Sequence, residues 1–271
     1  MTFYRSLIAL SFLFLFSCQS DDEDTPENQN IVKFTPQMTF DWDLRSDLPL
    51  NSQYDAEVVD IDAFDNSKEL VAELHSQGKK VIAYISVGSF EKWRPDKADF
   101  PASIIGNDYE GWEEEKFLDI RNIDVLAPIM RARLDMIKAK GFDAVEPDNM
   151  DSYTNDTGFD ISEQDVIKYC KWLANEAHSR GLSIGQKNAT ELSDQLVDYF
   201  DWILLEDAFA ENFQNEAQIY ITNNKAVFAT EYTDEMSENN FLNIVCSEAS
   251  SLKYTAILKE RDLNSFIVDC N

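Results

Sequence analysis

Short runs rich in β-branched and aromatic residues alternate along this chain with longer segments whose apolar residues recur every third or fourth position. The short runs are strand signals and the wider spacing is a helix signal. "MTFDWDL", "EVVDIDAF", "KKVIAYISVG", "FDAVEPD", "LSIGQKNA", "FDWILLED", "KAVFATEY" and "KYTAILK" give eight strands. "SKELVAELHSQG", "VLAPIMRARLDMIKAKG", "ISEQDVIKYCKWLANEAHSRG" and the shorter "ELSDQLVDY" fall between strands as helices. Gly78, Gly141 and Gly181 close the first three, as a left-handed cap requires. Alternation of strand and helix implies a parallel sheet. Eight such units in 271 residues predict an α/β fold, a single-domain (β/α)8 TIM barrel. A doubly wound nucleotide-binding sheet would need a Gly-rich phosphate loop, and neither GxGxxG nor GxxxxGK followed by Ser or Thr occurs.

The barrel is expected over residues 36–271. Ahead of it, residues 1–17 combine Arg5, an apolar run and Ser17, which reads as a signal peptide too short to span a membrane. "LFSC" resembles the lipobox of bacterial lipoproteins and makes Cys18 the expected lipidated residue. Residues 18–35 form a polar, acidic tether, and "QSDDED" resembles the signal that sends some lipoproteins to the outer surface. A surface-exposed outer-membrane lipoprotein is the expected location. Bulky Phe16 leaves plain secretion as the alternative.

Charge narrows the partners. Lys and Arg number 23 against 51 Asp and Glu, a formal charge of −28. That excludes nucleic acid as the main partner and confines membrane contact to the anchor, while favouring cationic ligands. An acidic surface also serves solubility alone. Beyond Cys18, Cys170, Cys246 and Cys270 remain without any CxxC pair, so zinc-ribbon and thioredoxin-like chemistry lack their signature. Cys246 and Cys270 can bridge in an oxidising compartment. A monomer without metal or cofactor is expected.

A barrel of this kind works at the C-terminal ends of its strands. Those ends carry Asp60 and Asp62, then Tyr84, Ser86 and Ser89, then Glu146 and Asp148. Lys187 and Asn188, Glu206 and Asp207, and Glu231 and Tyr232 follow. The two histidines, His75 and His178, sit one turn before helix-ending glycines near the opposite face, where capping suits them. Ser-His-Asp catalysis and most zinc sites are thereby excluded. "DIDAFDNSKELV" fails as a calcium loop at Phe64 and Asn66. Carboxylate chemistry remains, and glycoside cleavage needs one acid to protonate the leaving oxygen and a second carboxylate to attack or to activate water. Trp93, Trp112, Tyr153 and Phe209 are candidates to stack on sugar, whereas Trp202 reads as core.

At these residues the chain resembles glycoside hydrolase family 114, the endo-α-1,4-polygalactosaminidases. The similar segments include "VVDIDAFD", "VIAYISVGSFEKWRPD", "GWEEEKFLDIR", "IMRARLDMIKAKGFDAVEPDNMDSYTNDTGF", "AHSRGLSIGQKNA" and "ATEY", spanning about residues 36 to 235. The resemblance implies hydrolysis of α-linked galactosamine-containing polymers. It carries the catalytic aspartate onto Asp148 in "EPDN" and the glutamate onto Glu206 in "LLED", where Leu205 replaces the commoner Asn. Glu231 is the reserve acid. Glu146, Asn149, Asp151, Tyr153, Lys187, Asn188, Tyr232, Asp60, Asp62, Tyr84, Ser86 and Trp93 complete the expected sugar-binding set. Lys187 is expected to hold Asp148 ionised, and the apolar neighbours of Glu206 to favour its protonated form. Retaining and inverting outcomes both stay open. A glycan-binding protein on an inactive barrel is the rival reading, and the presence of both carboxylates favours the enzyme.

Overall fold

The computed structural model describes residues 31–112 and 114–270. The signal peptide, Cys18 and most of the tether lie outside the described residues. All eight expected strands form: β1 (Phe40–Asp43), β2 (Val58–Asp62), β3 (Lys80–Ser86), β4 (Ala144–Asp148), β5 (Ser183–Lys187), β6 (Trp202–Glu206), β7 (Val227–Tyr232) and β8 (Thr255–Lys259). Each pairs in parallel with the next, in chain order. No helix among the described residues is long and apolar enough to cross a membrane.

The sheet curls until β8 returns to β1, but this seam is not an eighth parallel ladder. Val268–Asp269 adds antiparallel to β8. Thr255 Oγ1 donates to Met38 O at 2.8 Å and Lys259 Nζ to Asp41 Oδ1 at 2.9 Å across the gap. Cys246 and Cys270 form the bridge that the sequence permitted, fastening the end of the short strand to the helix Cys246–Leu252.

Outside the sheet, α1 (Lys68–Ser76), α2 (Ile123–Lys140) and α3 (Glu163–His178) bury one face each. Ser67 caps α1, and Ser162 with Asp165 makes a capping box for α3. Both satisfy amides that a helix start leaves bare. Gly78, Gly141 and Gly181 all take positive φ. The helix expected from "ELSDQLVDY" shrinks to Ser193–Leu196, and the connection 44–57 carries none.

Strand alternation sorts the core into two parts. Phe40, Trp42, Val58, Ile82, Ala144, Trp202, Leu204, Phe228, Tyr232 and Ile257 fill the barrel. Val59, Ile61, Val81, Val145, Ile184, Leu205 and Ala229 face the helices instead. Gly185 is obligatory in this packing, because a Cβ there would lie 2.5 Å from the Trp202 ring. Phe34 plugs the N-terminal mouth, its ring 5.6 Å from Trp202 and its carbonyl bound to Ala226 N–H.

One feature was absent from the sequence pattern. Between β3 and α2, Ser89–Glu91, Ile105–Asp108 and Glu115–Leu118 make a small antiparallel sheet with Glu115–Leu118 in the centre. It stands at the C-terminal mouth of the barrel and forms one wall of the cleft there.

Candidate active site

Lys187 is the hub of that cleft. Placed inward at the end of β5 and almost fully buried, its ammonium donates to Glu146 Oε1 at 2.7 Å and Asp148 Oδ1 at 2.8 Å, and lies 3.1 Å from Glu206 Oε2. Beneath it lies the Trp42 ring, with its centroid 4.4 Å away, a favourable seat for a cation. Burial opposes the Lys187 charge, but Asp148, Glu146 and Glu206 together hold its pKa well above the ordinary value. Among the described residues no other cation pairs with these three acids.

Asp148 and Glu206 are the two members of the trio that reach the cleft. Tyr84 OH donates to Asp148 Oδ2 at 3.1 Å. The Tyr232 hydroxyl donates to Glu206 Oε1 at 2.5 Å. Asn188 takes the backbone N–H of Glu206 on its Oδ1 at 2.9 Å and donates weakly to Oε2 at 3.4 Å. The apolar setting expected for Glu206 is not what surrounds it. Leu205 alternates outward and Leu204 packs lower in the barrel, so the carboxylate is framed by an ammonium, a phenol and an amide.

Glu146 and Asp60 lie deeper. Burial, reinforced by the Asp148 and Glu206 charges against the pull of Lys187, pushes Glu146 up to about 8. Burial with the Glu146 and Asp148 charges raises Asp60 well above its ordinary value. Neither Asp60 oxygen, nor Glu146 Oε2, receives a hydrogen bond from the described residues. These two are floor, not lip.

The β4 exit is built around Asn149. Its φ is +64°, and its carbonyl occupies the place that a Cβ on residue 88 would need, 1.7 Å away, so only glycine fits at Gly88. Asn149 Nδ2 reaches Ser86 Oγ at 2.9 Å and Ser89 Oγ at 3.2 Å. Ser86, fully buried, therefore supports the loop that aims Asp148. At the rim stand Asp62, held by Arg94, with Asp151, Tyr153 and Trp93, the last 48% exposed. Trp112 is 52% exposed across the small sheet's tip.

Three further expectations need correction. Glu231 is fully buried and points away from the cleft, because Tyr232 beside it takes the inward position. Its carboxylate receives the N–H groups of Phe209 and Ala210 at 2.9 and 3.0 Å, an anchor for the chain leaving β6. Phe209 is buried in the core and offers no stacking face. Both histidines sit at the opposite end, bound at 2.9 Å to Asp143 and Asp201, each just ahead of a strand. They tie helix ends to strand starts instead of capping. Residues that the sequence reading did not single out include Trp42, Glu115, Tyr109 and Arg261. Inward alternation would have found Trp42, and nothing in the pattern marks the small sheet that supplies Glu115.

A (β/α)8 barrel with paired carboxylates on strand ends at its C-terminal mouth is the architecture of a glycoside hydrolase. The chain belongs to glycoside-hydrolase family GH114, whose profile matches residues 22–271. Among solved structures it is similar to Ega3 of Aspergillus fumigatus in complex with galactosamine. The TM-score is 0.80 at 36% identity, covering 88% of this chain and 97% of that one. The glycoside hydrolase domain of PelA from Pseudomonas aeruginosa matches with a TM-score of 0.66 at 15% identity, covering 86% and 98%. TtGalA, an α-galactosidase from Thermus thermophilus, matches at 0.55 and 14%, covering 84% and 59%. The latter two speak for the fold. No curated protein matches.

Proposed function

We propose that this glycoside hydrolase cleaves an α-linked, galactosamine-containing polysaccharide with retention, Asp148 acting as nucleophile and Glu206 as acid and then base. The observation that carries this reading is the shared ammonium. Asp148 Oδ1 and Glu206 Oε2 lie 2.8 and 3.1 Å from Lys187 Nζ, so these oxygens are separated by no more than the sum, 5.9 Å. Retaining enzymes place their carboxyls roughly 5–5.5 Å apart, and inverting ones about 6.5–9.5 Å, to seat a water between.

In the first step protonated Glu206 gives its proton to the glycosidic oxygen as Asp148 forms a bond to the anomeric carbon and the leaving sugar departs. In the second, Glu206 takes a proton from water, whose oxygen displaces Asp148. The ammonium suits this cycle. While Asp148 is charged it opposes a second charge on Glu206. Once Asp148 is esterified that opposition is gone, and Lys187 favours Glu206 as carboxylate. Ega3 was crystallised with galactosamine, and a chain of net charge −28 is suited to a cationic polymer. The open cleft of about 990 Å³, with Trp93 and Trp112 at its lips, supports attack within a chain.

The test is the anomeric configuration of the first product, read by NMR on an α-1,4-linked galactosamine oligosaccharide: α supports retention and β refutes it. Glu206→Gln should cost about 10²–10⁴-fold in turnover, and Asp148→Asn at least as much. If both variants keep wild-type turnover, the assignment falls. Affinity should also weaken with salt, since exposed charges are screened beyond about 8 Å at physiological strength.

A further inference from the structure

Across the small sheet of the cleft wall, Glu91 and Glu115 are directly opposed in the antiparallel ladder. Like charges in that position repel, and both side chains are buried. Only one of them is neutralised. Arg94 binds Glu91 Oε1 at 2.7 Å and Asp62 Oδ2 at 2.7 Å, and Arg133 lies 3.9 Å from Glu91. Among the described residues no ion pair involves Glu115. One hydroxyl serves it, Ser89 Oγ at 3.1 Å from Oε1. The neighbouring Lys116 alternates to the other face and pairs with Asp108. A wall that needed only to fold would carry glutamine or an apolar residue here, because a buried carboxylate without a cation is costly.

We infer that Glu115 is the specificity residue for an unacetylated sugar, its carboxylate receiving the 2-ammonium group of a galactosamine unit in the cleft; this rests on the proposed substrate. Glu115 lines the cleft together with Asp148, so the ammonium belongs to the sugar being cleaved or to its neighbour. A cation is the partner that Glu115 itself lacks among the described residues. The charged groups facing Glu115 are Glu91, Asp148 and Arg94, and Tyr84 and Tyr109 are the phenols that feel its charge. Burial, helped by the Glu91 and Asp148 charges, pushes Glu115 up to about 7, so a bound ammonium would draw it into its ionised form. An N-acetyl group offers an amide in place of that cation and loses the contact.

The experiment measures the dissociation constants of an α-1,4-linked galactosamine oligosaccharide and of its fully N-acetylated counterpart, by calorimetry at pH 7. All carry Glu206→Gln to stop turnover, and the proteins compared are otherwise wild type, Glu115→Gln, Glu115→Asp and Asp151→Asn. Charge-assisted contacts are worth enough that Glu115→Gln should reduce the preference for the free amine by about 10- to 100-fold. Glu115→Asp, which keeps the charge but withdraws it, should fall between. The inference is overturned if Glu115→Gln, or Glu115→Asp should the former not fold, keeps the wild-type preference. It is also overturned if Asp151→Asn alone abolishes that preference. Because binding is read in a background that cannot turn over, discrimination there, together with an unmodified protein that does not cleave, would refute the proposed hydrolysis and leave this assignment standing.

Discussion

Lys187→Met removes one ammonium, keeps most of the side-chain volume and leaves Glu146, Asp148 and Glu206 without their common partner. Asp148 and Glu206 would lose the ammonium that both contact. A hydrogen bond to a charged group is worth about 1.5–3 kcal/mol, so kcat/KM at pH 7 should fall by about 10- to 100-fold. Stability should fall as well, since removing one member of a buried pair costs up to about 3–5 kcal/mol, or on the order of 10 °C in Tm for a domain of this size. The sign follows from the direction of the shift. The pKa of Lys187 is raised in the folded protein, so its stabilisation is in force below the unfolded value of about 10.4 and fades only as pH climbs past it. Wild type should thus be the more stable at pH 7, with its lead shrinking in strong alkali. The assays are steady-state kinetics and thermal melting. A variant with the wild-type kcat/KM and the wild-type Tm at pH 7 would refute the whole account of the hub.

Tyr232→Phe deletes the hydroxyl that donates to Glu206; turnover should drop by about 10- to 100-fold, as expected for a hydrogen bond to a charged group, with little change in Tm. Glu231→Gln should weaken the anchor of Phe209 and Ala210 by about 1–3 kcal/mol while retaining measurable activity. Burial raises Glu231 to about 7, so the folded state holds that proton more tightly and the contribution of Glu231 declines as pH rises from 4.5 to 7. The Tm gap between wild type and variant should accordingly be wider at pH 4.5 than at 7.5, and an equal gap would contradict this. Serine at both Cys246 and Cys270 opens a loop with a sequence separation of 24, which chain entropy values at about 3 kcal/mol; an unchanged denaturant midpoint would show that the seam needs no staple.

The eight strands and three main helices were legible because each must bury apolar side chains on a fixed period, and that period is written in the residues. What was not legible is whatever lacks such a period. The wall strands Ser89–Glu91 and Glu115–Leu118 run three and four residues, too short to alternate convincingly, and they carry Glu91 and Glu115. The site was half legible. Strand ends pointed to Asp148, Glu206, Lys187, Tyr84 and Tyr232, all of which meet around one ammonium or its partners. Proximity to a strand end could not separate Tyr232 from Glu231, since adjacent residues face opposite sides. Counting alternation forward from the inward Phe228 would have separated them. The polar frame of Glu206 was hidden for the same reason, because Leu205 is its neighbour in sequence and points to the other side of the sheet.

The plug formed by Phe34 has an orientational meaning. It places the entering chain at the closed end of the barrel, under Trp202 and Ala226, a full strand length from Asp148 and Glu206. The described chain thus enters the fold from behind the catalytic mouth. Immobilising the protein by that end on a bead, a sensor chip or a lipid layer would leave the groove facing outward, free to meet a polymer too large to diffuse beneath it.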